Sequence, residues 1–104
     1  MNRWNIPDWL ELLVLERDKG CVYCGVEFSD PFATHGKKPS WEHIINDAKI
    51  VTIQNIARCC ISCNASKSAK DVSVWMESIY CKRNGISKHS VAKVVQDALA
   101  NSSL

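Results

Sequence analysis

Two Cys-x-x-Cys pairs constrain the fold of this 104-residue chain more than any other feature of its sequence. The first pair is Cys21 and Cys24, and the second is Cys60 and Cys63. A spacing of two residues lets a tight turn present both sulfurs to one tetrahedral ion, so the pairs predict a four-thiolate zinc site. Such a site contributes on the order of 10 kcal/mol of apparent folding free energy. This suits a small domain, which buries only roughly two-thirds of its unfolded surface.

Two further cysteines, Cys59 and Cys81, lie outside these pairs. Cys59 is an alternative to Cys60 as a zinc ligand, although this choice breaks the two-residue spacing. Cys81 lies in a predicted helix with no evident activating partner beside it, which favours an ordinary buried thiol over a catalytic cysteine. A secreted protein held by disulfides is the alternative interpretation of all six cysteines.

The compartment decides between metal and disulfides, and the first ten residues bear on it. Asp8 interrupts the apolar residues near the N-terminus, Glu11 follows it, and no small-residue cleavage site succeeds them, so we expect no signal peptide. No apolar run approaches the roughly 20 residues of a membrane helix. We therefore expect a soluble intracellular protein without a membrane partner, in which reduced cysteines bind metal.

Residue spacing predicts two helices in the first two-thirds of the chain. Pro7 suits a first helical turn and Gly20 a position just beyond an end, which indicates a helix over about residues 7–18. Its apolar face is expected to bury four residues, Trp9, Leu10, Leu13 and Val14. A second, short helix is expected to begin after Ser62 or Cys63.

Two more helices are predicted toward the C-terminus. One covers about residues 72–83, with Asp71 as its N-cap and Gly85 just past its end. Its apolar positions, which we expect to be core, are Val72, Trp75, Met76, Ile79 and Tyr80. The other covers about residues 88–100 and repeats the pattern at Val91, Val94, Val95, Ala98 and Leu99.

Two short strands complete the expected architecture. One runs from Trp41 to Ile45, and its antiparallel partner runs from Ile53 or Asn55 to about Cys59. The segment over residues 27–40 is expected to be the least regular. We therefore predict an α+β fold, mainly α, as a single domain over residues 1–104.

Three motifs around the cysteine pairs resemble a known family. They are EHI at Glu42 to Ile44, QNI at Gln54 to Ile56, and CISCNASK at Cys60 to Lys67, preceded by CVYCG at Cys21 to Gly25. In order and spacing they resemble the HNH endonucleases in their zinc-stabilised form, with asparagine as the third signature residue. The resemblance covers about residues 21–70. It implies a ββα-metal core, in which two antiparallel strands and a helix surround one divalent ion.

The resemblance also implies roles for four residues. The family's general base falls on His43, its middle asparagine on Asn55 and its third signature residue on Asn64. The residue before the base usually helps to bind the catalytic ion, which nominates Glu42. Aspartate is commoner than glutamate at the position of Glu42, so direct coordination by the longer Glu42 is left open. Histidine is frequent at the third signature position, where this sequence has Asn64. Oxygen ligands at Glu42 and Asn64 suit magnesium or manganese better than zinc.

The implied activity is metal-dependent hydrolysis of DNA, in which His43 takes a proton from the attacking water. The sequence from residue 51 onward contains seven Lys and Arg but only three Asp and Glu. This excess of positive charge is by itself weak support for a polyanionic partner. Arg58, Lys67 and Lys70 are the expected phosphate contacts, although a solvated surface explains Lys70 equally well. The alternative function is a non-catalytic zinc module that binds nucleic acid or protein.

Overall fold

The computed structural model describes residues 4–102, which adopt an α+β fold with more helix than strand, as predicted. These residues form five α-helices, one two-stranded antiparallel sheet and a short 3-10 turn at His35–Lys37. The elements follow in the order α1 (Asp8–Arg17), β1 (Pro39–His43), β2 (Ile56–Cys60), α2 (Ile61–Lys67), α3 (Val72–Trp75), α4 (Ile79–Arg83) and α5 (Lys93–Ser102). Within this range no helix is both long enough and apolar enough to cross a bilayer.

The sheet positions the residues that the sequence singles out. Trp41 lies opposite Arg58, and His43 lies opposite Ile56. Because successive strand side chains alternate between faces, these four residues share one face of the sheet. β1 begins and ends two residues earlier than predicted. The reason is that the side chain of Asn55 takes over the backbone amide of Ile45, which ends the regular ladder after His43.

Helix α1 buries a narrower apolar stripe than its sequence predicts. Leu10 and Val14 are fully buried, in a small cluster with Ile6 and Ile56. Trp9 and Leu13 remain 62% and 46% exposed, so the prediction that they are buried is wrong. The physical reason is that β2 is the main element packed on α1, and it covers only residues four apart on the helix.

The single helix predicted over residues 72–83 is divided into α3 and α4. Asp71 caps α3 as expected, because its side chain accepts a hydrogen bond from the backbone of Ser73. Ser78 then adopts an extended backbone, and its hydroxyl accepts the amide of Cys81 to start α4. This break turns Ile79 outward, where it is 68% exposed rather than part of the core. α5 also begins later than predicted, although its apolar face packs inward as expected.

Helix α2 follows β2 without a connecting loop. It begins earlier than predicted because Cys60, the last residue of β2, is its N-cap: the Cys60 sulfur accepts a hydrogen bond from the amide of Cys63. The helix packs against both strands. Strand, strand and helix therefore form one continuous unit, with a cysteine at the junction between its last two elements.

Candidate functional site

The four paired cysteines meet at one point in the structure. The sulfurs of Cys21, Cys24, Cys60 and Cys63 all lie within 4.8 Å of one another. The sulfurs of Cys24 and Cys60 are 3.8 Å apart, and a tetrahedral zinc ion with bonds of about 2.3 Å places its sulfurs roughly 3.8 Å apart. No disulfide joins them, because every cysteine is free. The cluster can therefore hold a metal ion, and its size fits zinc.

Backbone amides support both halves of this cluster in the same way. The amide of Cys24 donates to the sulfur of Cys21, and the amide of Cys63 donates to the sulfur of Cys60, each over 3.4 Å. Amides aimed at the first sulfur of each pair stabilise a thiolate there, which is the form that binds metal. Cys59 is excluded from the cluster because its side chain leaves the opposite face of β2 and lies 3.7 Å from the hydroxyl of Ser40.

Charge within the cluster is concentrated on Cys21. Hydrogen bonds from Cys60 and Cys63 lower the pKa of Cys21 to about 2. The same interactions raise the pKa of Cys63, whose sulfur also accepts a hydrogen bond from the hydroxyl of Tyr80 over 3.3 Å. Thiols this close share protons, so a cation in their centre would release those protons and satisfy all four sulfurs at once. The role of Tyr80 is not visible in the sequence, because it depends on how α4 packs.

A cleft of about 520 Å³ lies along the unpaired edge of β1. Its walls come from the strand itself, from the loop after it and from α2. His43 and Asn64, which are 21 positions apart in the sequence, both line it. Trp4 and Trp41 line it as well, and Trp4 was not predicted to take part. No motif around Trp4 signals this placement.

The imidazole of His43 is largely buried and makes few polar contacts. The residue is 8% exposed, and among residues 4–102 its Nε2 has no hydrogen-bond partner. The ring meets the edge of Trp4, with centroids 5.2 Å apart. Burial lowers the pKa of His43 and the ammonium of Lys67 lowers it further, while Asp47 opposes both effects. The ring is therefore neutral near pH 7 and can accept a proton.

Asn55 fixes the loop that follows His43. Its side-chain oxygen accepts the amide of Ile45 over 2.7 Å, and its nitrogen donates to the carbonyl oxygens of Ile45 and Ile50. Because Asn55 is 2% exposed, these bonds form away from water. The effect is to hold the end of β1, and with it His43, in one position.

Asn64 presents its amide to β1 from the second turn of α2. Its nitrogen donates to the hydroxyl of Ser40 over 3.0 Å and to the carbonyl oxygen of Trp41 over 3.2 Å. With both N–H groups used in this way, the side-chain oxygen is the atom left to accept a bond or bind a cation in the cleft. This arrangement places one hard oxygen donor on a residue that lines the same cleft as His43.

Glu42 and Lys67 form a buried ion pair. One Glu42 oxygen accepts from the Lys67 ammonium over 3.1 Å and from the hydroxyl of Tyr23 over 2.5 Å. Burial raises the pKa of Glu42, while Lys67 and Tyr23 act to lower it. Lys67 is 1% exposed, so the prediction that it contacts phosphate is wrong. Glu42 also lines the cleft, so its role as a ligand of the catalytic ion stays a prediction.

The other two expected phosphate contacts also have internal partners. Arg58 places its guanidinium 5.4 Å from the ring centroid of Phe28 and 5.5 Å from that of Trp41. Lys70 is exposed, and its ammonium donates to the carbonyl oxygen of Ser66. Of the three predicted cations, these two can still reach a solvent-borne ligand. Within residues 4–102, no second group of three or more His, Cys, Asp or Glu side chains is close enough to hold a metal.

Replacing Lys67 with methionine is expected to lower the free energy of unfolding by about 3 to 5 kcal/mol, because it leaves the Glu42 carboxylate buried without its cation. Thermal or urea unfolding measures the loss. Lys93→Met is the matched control, since Lys93 pairs with Asp97 at the surface, where such pairs contribute little. Equal stability of Lys67→Met and the wild type would show that the Glu42 pair is not formed.

Comparison with known proteins finds no family model, no curated protein and no solved structure that matches this chain. The interpretation of the site therefore rests on its own geometry. That geometry comprises the four-cysteine cluster, the cleft that contains His43 and Asn64, and the ion pair of Glu42 with Lys67.

Proposed function

We propose that this protein is a metal-dependent endonuclease of the HNH type, in which His43 is the general base for hydrolysis of DNA phosphodiester bonds. The observation that carries the proposal is the shared cleft, which His43 and Asn64 line on a strand–strand–helix unit. The Nε2 of His43 has no hydrogen-bond partner among residues 4–102, and the amide nitrogen of Asn64 is bonded to β1, which leaves its oxygen for a ligand. A purely structural metal site has no need of either group. The four-cysteine cluster holds a zinc ion that fixes this unit to the rest of the chain.

Each residue of the cleft then has a chemical task. His43 removes a proton from the attacking water, which a neutral imidazole does efficiently near pH 7. Asn55 keeps the imidazole in place through the loop that it clamps. The oxygen of Asn64 would hold magnesium or manganese, which would supply positive charge near the leaving oxygen. Glu42 also supports α2 through its ion pair with Lys67.

The experiment is to incubate the purified zinc-loaded protein with supercoiled plasmid and added magnesium, manganese or neither. The proposal expects conversion to nicked circles only when a divalent ion is added. Omitting the ion is preferable to chelation, because a chelator would also attack the cysteine cluster. Folded, zinc-loaded protein that nicks under none of these conditions would overturn the proposal. That result would favour the alternative of a non-catalytic zinc module.

Asn64→Ala is expected to raise the magnesium or manganese concentration needed for half-maximal nicking by about tenfold or more, because it removes a protein ligand of the ion. The measurement is a titration of the nicking rate against each metal. The rate at saturating metal should recover most of the wild-type value, since His43 is untouched. Asn84→Ala is the control, because Asn84 lies at the end of α4 and bonds to Tyr80. A metal requirement unchanged by Asn64→Ala would remove Asn64 from the ion site.

A further inference from the structure

Aromatic and cationic side chains form a row on the face of the sheet that carries His43. Trp41 and Arg58 are directly opposite one another in the register, and the Arg58 guanidinium lies over both the Trp41 and the Phe28 ring. Trp41 also lines the cleft, where Trp4 stands against His43. Phe28, Trp41 and Trp4 are each only partly buried. The row therefore leads from solvent to the candidate base.

We propose that this row is a stacking platform for unpaired nucleotides, so that the cleft selects single-stranded or locally opened DNA over intact duplex. The inference rests on the proposed function and names its substrate class. Bases of an unpaired strand stack on Trp41 and Trp4, and the guanidinium of Arg58 contacts the phosphates between them.

The chemistry of the platform favours an unpaired strand for a simple reason. Indole and guanidinium planes bind the faces of bases, and those faces are covered by neighbouring bases in a stacked duplex. Stacking is also tolerant of sequence, because every base has such a face. A row of charges alone would attract duplex and single strand alike. The interleaving of Phe28, Arg58 and Trp41 is what distinguishes the two substrates.

The test measures binding apart from cleavage. A His43→Ala background without added magnesium or manganese is titrated against a labelled oligothymidylate of about eight nucleotides, and against a duplex of equal length, by fluorescence anisotropy. The single strand is expected to bind about tenfold more tightly than the duplex. Adding Trp41→Leu is expected to weaken single-strand binding about tenfold, which corresponds to the loss of one stacked base.

Two control variants test whether any loss of binding is specific to the aromatic face of Trp41. Trp9→Leu removes an exposed tryptophan outside the cleft and should leave binding unchanged. Trp41→Phe keeps an aromatic face and should restore most of the affinity lost in Trp41→Leu. Zinc content and melting temperature identify any variant that fails to fold, and Trp4→Leu then replaces Trp41→Leu as the test.

The outcomes separate this inference from the proposed function. Equal affinity for single strand and duplex overturns the platform, as does full affinity in folded Trp41→Leu. If the protein nicks relaxed and supercoiled plasmid at the same rate, the proposed nuclease activity is supported and the proposed preference for unpaired DNA is wrong. If no DNA is cut but oligothymidylate binding depends on Trp41, the stacking platform is supported and the proposed hydrolytic function is wrong.

Discussion

His43→Ala is expected to slow plasmid nicking by about 100- to 10,000-fold, the range that a positioned general base contributes. The loss is specific because His43 is not part of the cysteine cluster, so the zinc content should stay at the wild-type value. His43→Asn provides a second variant that fills more of the enclosed space around the ring. His89→Ala is the matched control, since His89 is exposed and lies outside the cleft. The initial rate of nicking under matched metal and salt is the measurement.

The pH dependence of nicking gives an independent check on the same residue. Burial and Lys67 lower the pKa of His43 from its ordinary value of 6.5, and a bound cation nearby would lower it further. A base acts when it is deprotonated, so the midpoint of the decline in nicking as pH falls should lie below 6.5. If His43→Ala nicks plasmid at the wild-type rate, His43 is structural and the proposed mechanism is wrong.

Cys63→Ser is expected to abolish zinc binding and with it most of the stability of the fold. Zinc held by four thiolates contributes on the order of 10 kcal/mol of apparent folding free energy, which is comparable to the whole stability of a typical small domain. The loss should be large because Cys63 lies in α2 while Cys21 and Cys24 follow α1, so the cluster joins distant parts of the chain. Elemental analysis of zinc per chain and thermal unfolding measure the two effects.

Cys59→Ser and Cys81→Ser are the controls for the cysteine prediction. Both cysteines are buried and free, but neither belongs to the cluster. Each variant is therefore expected to keep its zinc, with a loss of stability confined to local packing. Zinc retained at full occupancy in Cys63→Ser, or lost in Cys59→Ser, would reassign the ligands.

Each half of the metal centre is predictable from the sequence because a Cys-x-x-Cys pair is local. Its two-residue spacing lets Cys60 and Cys63 present both sulfurs to one ion, whereas the meeting of the two pairs depends on the tertiary fold. The two strands and α2 are also predictable from local sequence, since the alternation of strand side chains and the capping of a helix each involve only a few residues. The division between α3 and α4 was missed because Ser78 reads equally well as a helical residue or as a cap.

The amino-acid sequence specifies which groups are available: two cysteine pairs, a histidine at the end of a strand and asparagines on either side of β2. How these groups are used depends on tertiary packing. Glu42 and Lys67 are 25 positions apart, and their pairing depends on α2 packing against β1. Leaving a charge unpaired in the buried interior costs more free energy than losing a contact at the surface. For this reason Lys67 lies against Glu42, while His43, Asn64 and the two tryptophans line the cleft together with Glu42 itself.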